Sequence, residues 1–242
     1  MHNAPLKFVE GVLGTAIPTG TLTVLEIGSY DVNGSIREVV RQSPAGKRLQ
    51  EYIGADLTEG PGVDIIVSGS DLDFEGGRFD LTLSLECFEH NPFWKETLHN
   101  MVRMLKPGGW CIITCASVGR PEHGTARMDS TNSPGTQDIG WNHYQNISLA
   151  VFEAAISLKD VFSFHVLAYG TAWNDLYFVG RKLGIGSNLD VTPNFEQTWR
   201  EASVCKERPN LKRRATYFIE RYLGSLIFQS FYVMVWRTIK PR

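Results

Sequence analysis

Two residues have the types and positions expected of a ligand-binding site: a glycine and an acidic residue, each at the end of a short apolar run. The run 22–27 leads into Gly28, and a helix-like segment begins at Ser35 soon afterwards. Glycine permits a sharp turn and a close ligand approach, and the first turn of a helix offers unpaired N–H groups. Asp56 ends the second apolar run, where a carboxylate can accept hydrogen bonds from both hydroxyls of a ribose. Gly28 and Asp56 together therefore predict a nucleoside site.

The spacing within the glycine turn distinguishes between two classes of nucleoside ligand. The dinucleotide fingerprint GxGxxG is absent, because Tyr30 stands where its second glycine is required. A pyrophosphate needs several backbone N–H groups at close range, whereas a nucleoside without that group does not. A third loop offers Asp71 to accept a hydrogen bond from an adenine amino group and Leu72 to pack on the ring. The sequence thus favours a nucleoside without a pyrophosphate and argues against a nicotinamide-dependent oxidoreductase.

These loops follow segments in which strand-like and helix-like patterns alternate. Such alternation predicts a parallel sheet with helices on both faces, and open sheets of this kind bind ligands at the C-terminal ends of their strands. The loop 116–147 is rich in Gly, Pro, Ser and Asn, and loops of this length in compact domains are commonly functional. The predicted strands span 22–27, 52–56, 63–67, 79–85 and 110–115, with a hairpin at 162–169 and 176–181 and helices at 35–42, 93–105 and 148–158.

The overall composition narrows the class of protein. Hydrophobic residues make up 43% and charged residues 21% of the 242 residues, which is typical of a globular chain with one α/β domain. A formal net charge of -2 argues against a basic field that would hold nucleic acid. The four cysteines form no CxxC pair, so we expect free thiols, a reducing compartment and a cytoplasmic location.

The order of these segments resembles that of the class I S-adenosylmethionine-dependent methyltransferases, and within them the broad type 11 group often found near glycan-assembly genes. The matching pieces are LEIGSYDVNGS, YIGADLTEGPGVD, GSDLDF, FDLTLSLECFEH and MLKPGGWCIITC, which follow the family's order and cover residues 22–115. The resemblance implies an α/β fold with a Rossmann-like, mostly parallel seven-stranded sheet, one antiparallel strand and helices on both faces. It also implies an enzyme that uses S-adenosyl-L-methionine.

The same resemblance assigns roles to individual residues. Glu26 would orient the glycine turn, Asp56 would hold the ribose, and the third loop would hold the adenine. Residues after the fourth strand would flank the methionine end of the cofactor and the point of transfer. The cofactor-binding residues predicted in this way are Glu26, Gly28, Ser29, Tyr30, Gly34, Asp56, Leu57, Asp71, Leu72, Glu86, Cys87 and Phe88.

Candidate bases lie after the fourth strand and in the loop 116–147. Methyl transfer to a hydroxyl requires alignment of the oxygen, the methyl group and the sulfur, together with a base that removes the hydroxyl proton. His123 is the first candidate for this base, His143 the second and Glu89 the third. Glu86, Glu89 and His90 match no known metal-ligand spacing, so no metal site is predicted.

Aromatic side chains indicate the kind of acceptor. Trp141, Tyr144 and Trp173 suit an aromatic wall for a sugar or a planar molecule. The loop resembles methyltransferases from surface-polysaccharide clusters, which implies O-methylation of a sugar or small-molecule hydroxyl and a role in polysaccharide biosynthesis. The alternative is a non-catalytic, methyltransferase-like subunit that serves as a binding or scaffold protein. Nucleic acid is not expected as a partner, because the motif of amino-group methylases is absent.

The C-terminal part is predicted to lie outside the catalytic domain. We assign residues 1–182 to the methyltransferase domain and 183–242 to a helical extension that begins with a loop-like stretch, 183–193. Residues 215–239 contain an apolar core that is shorter than the roughly 20 residues needed to span a bilayer, with basic residues on both sides. Three interpretations stay open: an interfacial helix in peripheral contact with the inner face of the membrane, a helix for a homo-oligomer or another partner, and a helix that folds back onto the domain.

Overall fold

Strands and helices alternate along most of the chain, as the sequence pattern predicts. The computed structural model describes residues 3–32, 34–170, 174–191 and 229. The strands are β1 (Ala16–Pro18), β2 (Leu22–Ile27), β3 (Leu49–Asp56), β4 (Ile65–Ile66), β5 (Phe79–Leu85), β6 (Leu105–Ala116), β7 (Phe162–Tyr169), β8 (Asp175–Lys182) and β9 (Leu189–Val191). The α-helices are α1 (Asn3–Gly14), α2 (Ile36–Gln42), α3 (Trp94–Met104), α4 (Pro134–Asp138), α5 (Leu149–Ala155) and α6 (Leu158–Val161).

The central sheet has seven strands in the order β4-β3-β2-β5-β6-β8-β7. β8 is antiparallel to both of its neighbours, and the remaining pairs are parallel. The predicted fold class, a mostly parallel Rossmann-like sheet with one antiparallel strand, is therefore confirmed. The order of strands reverses beside β2, so the C-terminal ends of β2, β3 and β5 meet where open sheets of this kind bind ligands.

Apolar side chains alternate between the two faces of the sheet and form a core on each. Leu25 of β2 packs into one core with Leu98 of α3, whereas Val24 packs into the other with Phe8 of α1. Every residue of β5 is buried, as expected for the middle strand of a parallel sheet with helices on both faces. The rigid middle of the sheet thereby fixes the loops that follow β2 and β5.

Serine caps define the starts of two predicted helices. The Ser35 side chain accepts a hydrogen bond from the N–H of Arg37 at the start of α2, and Ser148 accepts one from Val151 at the start of α5. Serine at this position satisfies an N–H group that has no partner within the helix. The cap of α2 fixes the distance between the glycine turn after β2 and the helix that follows it.

Two features at the edges of the domain were not predicted. α1 buries Phe8, Val9, Val12 and Leu13 at helical spacing against the sheet. The stretch 183–193 was expected to be loop-like, but its residues 189–191 form β9, which pairs antiparallel with β1. That part of the prediction was wrong because three residues carry no periodicity, and their partner strand lies far away in sequence.

Most of the predicted helical extension, 183–242, lies outside the described residues. The exceptions are 183–191, which contain β9, and Gln229. Gln229 is buried; its side chain accepts a hydrogen bond from the Glu122 N–H at 2.8 Å and donates one to the Arg120 carbonyl at 2.8 Å. None of the helices in the described parts of the chain is both long and apolar enough to span a bilayer.

Candidate active site

A cleft of about 620 Å³ opens at the C-terminal ends of β2, β3 and β5. The side chains and backbone that line it come from the ends of four strands and from the loop after β6. They are Ile27, Gly28, Tyr30, Val32, Ala55, Asp56, Leu57, Val67, Ser68, Gly69, Glu86, Cys87, His90, Asn91, Asn132, Ser133, Pro134, Gly135, Thr136 and Trp141.

Gly28 forms the sharp turn at the end of β2. Its φ of +81° is a conformation that side chains disfavour, and a Cβ at this position would lie 2.6 Å from the Cβ of Cys87. Its N–H donates to the carbonyl of Ala55 at the end of β3. The absence of a side chain therefore lets the loops after β2 and β5 meet, with the backbone of the turn open to the cleft.

Asp56 is held rigidly at the end of β3. One carboxylate oxygen accepts a hydrogen bond from the Tyr30 N–H at 2.9 Å, and the other accepts one from the Leu57 N–H at 2.7 Å. Burial raises the pKa of the carboxyl, and these two backbone bonds oppose that shift. The carboxylate thus joins the glycine turn to the next loop, and its free lone pairs are available to a pair of ligand hydroxyls.

The third loop enters the cleft with different residues from those predicted. Val67, Ser68 and Gly69 line the cleft, whereas Asp71 and Leu72 are not among the lining residues in the described part of the chain. Leu72 is buried in the core, and Asp71 is exposed. The Asn100 side chain donates to the carbonyls of Gly69 and Leu72 and so fixes the path of the loop. The adenine contacts assigned to Asp71 and Leu72 stay a prediction, with Ser68 and Gly69 closer to the cavity.

The structure divides the predicted cofactor residues into two groups. Those that line the cleft are Gly28, Tyr30, Asp56, Leu57, Glu86 and Cys87. Those that do not are Glu26, Ser29, Gly34, Asp71, Leu72 and Phe88, among which Phe88 is a fully buried core residue. A loop motif identifies the segment at the site more reliably than it identifies the side chains that point into it.

Glu26 lies one residue before the end of β2 and behind the glycine turn. It is 4% exposed and accepts a hydrogen bond from the hydroxyl of Tyr52 at 2.6 Å. Burial raises its pKa to about 7, and the bond from Tyr52 opposes this shift. This bond joins β2 to Tyr52 of β3, and the orienting role assigned to Glu26 in the glycine turn stays a prediction.

The loop after β5 supplies the opposite end of the cleft. Glu86 has a φ of +55°, which is uncommon for any residue other than glycine. Its carboxylate accepts a hydrogen bond from Thr114 at 2.9 Å and lies 3.9 Å from the guanidinium of Arg120. Burial raises the pKa of Glu86, and Arg120 opposes the shift. Left-handed residues of this kind concentrate at functional sites, where the surroundings hold them in place.

Next to Glu86, two buried side chains and one half-buried side chain from two loops form a group that we call the polar cluster: Glu89, His90 and His123. One potential ligand atom of each lies within 4.8 Å of the others. His90 also lines the cleft, and its ring centroid lies 5.0 Å from that of His123. Glu89 and His123 are therefore brought together by the fold, although 33 residues separate them in the sequence.

The two predicted bases of the polar cluster have pKa values shifted in opposite directions. Burial, with help from the guanidinium of Arg120, lowers the pKa of His123 to about 4. Burial, with help from Glu86, raises the pKa of Glu89 to about 8. Near neutral pH the imidazole is therefore uncharged, and its Nδ1 lies 3.1 Å from the carbonyl oxygen of Pro121. With Nδ1–H donated to that carbonyl, Nε2 of His123 is left to accept a proton.

The other predicted base and the aromatic residues occupy distinct positions. His143 is partly buried, does not line the cleft, and has a pKa that burial lowers. Trp141 lines the cleft beside Phe93, with ring centroids 5.5 Å apart. Tyr144 lies against the polar cluster, 5.2 Å from the ring of His123. Trp173 falls outside the described residues, so its place in an aromatic wall stays a prediction.

Arg120 is the functional candidate that sequence reasoning missed. It forms an ion pair with Asp175 of β8 at 3.2 Å and another with Glu86. Nothing in the local pattern distinguishes this arginine from a surface residue, because both partners are distant in sequence. Its positive charge acts on Glu86, Glu89 and His123 and so sets the electrostatics of the inner end of the cleft.

Comparisons with known proteins agree with this geometry. Residues 29–113 match the family model described as a methyltransferase domain. No curated protein matches the chain in sequence. This segment starts in the glycine turn and ends in β6, so it contains the ends of β3, β4 and β5 that line the cleft.

Several solved structures are similar to this chain at low sequence identity. A putative methyltransferase of Haloferax volcanii, in complex with its Trm112 activator, is 15% identical over 75% of this chain and 92% of its own, with a TM-score of 0.49. YcgJ of Bacillus subtilis is 17% identical over 69% and 73% of the two chains, with a TM-score of 0.46.

A Haemonchus contortus phosphoethanolamine N-methyltransferase in complex with S-adenosyl-L-methionine is 19% identical over 98% of this chain and 48% of its own, with a TM-score of 0.49. These likenesses concern the fold, and the family match concerns the domain at its centre. The chain is a methyltransferase that depends on S-adenosyl-L-methionine.

Proposed function

We propose that this methyltransferase transfers the methyl group of S-adenosyl-L-methionine to a hydroxyl of a sugar or of another small molecule. The observation that carries the proposal is the polar cluster beside Glu86 and Cys87, where a hydroxyl can find a proton acceptor. Oxygen acceptors with a high pKa need such a group, which typically contributes a factor of 10²–10⁴ to the rate.

The residues that line the cleft favour one orientation of the cofactor. Asp56 suits the ribose hydroxyls, and Ser68 with Gly69 leaves space for the adenine beside them. The sulfonium and methyl group then lie toward Glu86, Cys87 and His90 at the other end. This direction brings the reacting methyl group close to the polar cluster.

The reaction itself is a direct displacement. The acceptor oxygen forms a bond to the methyl carbon while the carbon–sulfur bond breaks, and the electron pair of that bond leaves with S-adenosylhomocysteine. The hydroxyl proton passes to the polar cluster, with Nε2 of His123 as the first candidate because Pro121 holds the other nitrogen. Glu89 is the second candidate within the cluster, and His143 lies outside it.

A rim of aromatic and apolar surface favours a sugar or planar acceptor. Trp141 lines the cleft, and Phe93 beside it is 47% exposed. Aromatic faces combined with a few polar groups suit carbohydrate rings and aromatic rings alike. A role in polysaccharide biosynthesis would supply a sugar hydroxyl of this kind.

Transfer of radiolabelled methyl from S-adenosyl-L-methionine tests the proposal. Free sugars, nucleotide sugars and phenols would be offered beside amines of matched shape, and carbon NMR of the product would locate the methyl group. We expect oxygen methylation that falls at least 100-fold in His123→Gln. His99→Gln is the matched control, because His99 is exposed on α3. Methylation of amines alone would overturn the hydroxyl acceptor, and no transfer with cofactor bound would favour the scaffold alternative.

Of the three interpretations of the C-terminal segment, we infer that it contacts its own domain. The two hydrogen bonds of Gln229 to Arg120 and Glu122 support this choice. Gln229→Ala should then speed hydrogen exchange at the Glu122 N–H, whereas unchanged exchange would favour the membrane or the partner interpretation.

A further inference from the structure

The polar cluster has a composition and a spacing that the methyl-transfer reaction alone does not explain. It offers two imidazoles and one carboxylate whose ligand atoms lie within 4.8 Å of one another. Glu89 and His90 come from the short 3₁₀ turn after β5, Phe88–His90, and His123 comes from the loop after β6. Two parallel neighbouring strands therefore deliver all three donors to the same edge of the sheet.

Two members of this cluster carry buried polar atoms without partners. Glu89 is fully buried, and neither carboxylate oxygen makes a hydrogen bond of good geometry among the described residues. The Nδ1 atom of His90, which is 4% exposed, likewise has no partner within that part of the chain. Buried polar groups in native proteins almost always have a partner, so these atoms are available to a ligand such as a metal ion.

Charged side chains lie around the cluster. Glu86 and Asp175 bring two further carboxylates to this region, and the guanidinium of Arg120 forms an ion pair with each of them. Glu122 pairs with Arg127. The carboxylate of Glu89 forms no ion pair with a described side chain, so it is open to a ligand in the cluster.

We propose that Glu89, His90 and His123 bind a divalent transition-metal cation of the Zn²⁺ class at the inner end of the cofactor cleft. Two imidazoles with one carboxylate suit zinc, iron or manganese better than magnesium, which prefers oxygen ligands. Ligand atoms about 2.0–2.1 Å from a tetrahedral ion lie roughly 3.3 Å apart, so the present spacing must close by about 1.5 Å at most. Small side-chain rotations suffice for that closure.

The fourth position of this ion would face the reacting end of the cofactor, because His90 lines the cleft beside Glu86 and Cys87. This consequence rests on the proposed function. An acceptor hydroxyl in that position loses its proton far more readily, as a zinc-bound water does when its pKa falls from 15.7 to about 7. With the ion bound, His123 would serve as a ligand instead of as the base, so the hydroxyl proton would leave to water or to His143. The acceptor oxygen would form its bond to the methyl carbon while the carbon–sulfur bond breaks and S-adenosylhomocysteine leaves with the electron pair.

Calorimetric titration of Zn²⁺ into the untagged, chelator-treated full chain tests the site, and Co²⁺ absorption reports on its ligands. We expect one ion per chain, a spectrum of four-coordinate Co²⁺, and binding weakened about 100-fold or more in both Glu89→Gln and His123→Gln. His99→Gln should bind as the wild type does. Retained S-adenosylhomocysteine binding establishes that a variant is folded, and either variant alone suffices if the other fails to fold.

Absence of saturable Zn²⁺ binding, or equal binding by the wild type and both cluster variants, would overturn the metal site. These experiments distinguish failure of the metal site from failure of the proposal that the methyl acceptor is a hydroxyl. One Zn²⁺ bound through the cluster in a protein that methylates only amines would support the site and overturn the acceptor. Oxygen methylation by a protein that binds no Zn²⁺ would support the hydroxyl acceptor and overturn the metal site.

Discussion

Replacing Asp56 by asparagine changes one atom at the point where the structure joins two loops of the cofactor cleft. Each oxygen of the Asp56 carboxylate accepts a backbone N–H, one from Tyr30 and the other from Leu57. An asparagine amide has one oxygen, so its NH₂ group would face an N–H donor in either orientation. The substitution therefore removes the negative charge and also introduces a conflict between two donors.

The expected loss follows from the hydrogen bonds that the carboxylate makes. A hydrogen bond to a charged group contributes about 1.5–3 kcal/mol, and Asp56 is placed to make two with the ribose. Since the asparagine oxygen keeps part of this interaction, we expect a net loss of about 2.8 kcal/mol, which is roughly 100-fold in the Kd of S-adenosylhomocysteine. The unsatisfied N–H should in addition lower the free energy of unfolding by about 1–3 kcal/mol.

Isothermal calorimetry with S-adenosylhomocysteine measures the first effect, and urea denaturation measures the second. Asp73→Asn is the matched control, because Asp73 is an exposed acid on the loop after β4. Binding by Asp56→Asn within threefold of the control would refute the assignment of this carboxylate to the ribose. NAD should produce no heat with any of these proteins.

Three further substitutions test other parts of the cleft. Gly28→Ala should lower the free energy of unfolding by about 1–3 kcal/mol and weaken cofactor binding, because φ at this position is +81° and the new Cβ would meet Cys87. Urea denaturation and calorimetry measure the two effects, and wild-type values in both would contradict this expectation. Asp71→Asn should leave the Kd of S-adenosylhomocysteine nearly unchanged, because Asp71 does not line the cleft. A tenfold increase in this Kd would support the adenine contact that the sequence predicts for Asp71. Burial raises the pKa of Glu26 from its ordinary value of 4.5 to about 7 in the folded state. The wild type should therefore lose about 3 kcal/mol of stability, relative to Glu26→Gln, as the pH rises from about 4.5 to 7. Parallel stability curves for those two proteins would show that burial of Glu26 does not favour its protonated form.

Local patterns predicted the parts of the molecule that depend on local physics. The run 22–27 coincides with β2, and the helices predicted to begin at Ser35 and Ser148 begin one residue later, each capped by that serine. Gly28 and Asp56 lie at the cleft because the backbone at the end of a parallel strand is fixed by the strand itself. Periodicity and turn chemistry carry this information within a few residues.

Contacts between distant segments could not be predicted in the same way. Leu72 follows a loop motif, yet it is buried, because packing against the core decides which side of a loop faces the ligand. Glu89 and His123 meet because β5 and β6 are neighbours, and the sequence spacing of their donors matches no metal motif. The pairing of β9 with β1 similarly depends on the assembled domain.

The contact between Gly135 and Asp56 has a consequence for the order of events in a catalytic cycle. A Cβ on Gly135 would lie 2.9 Å from a carboxylate oxygen of Asp56, so the loop after β6 passes close to the carboxylate that is predicted to hold the ribose. A molecule seated on that loop would cover the route by which the donor enters. We therefore expect a compulsory sequence in steady-state kinetics, with the methyl donor binding first and its demethylated product leaving last.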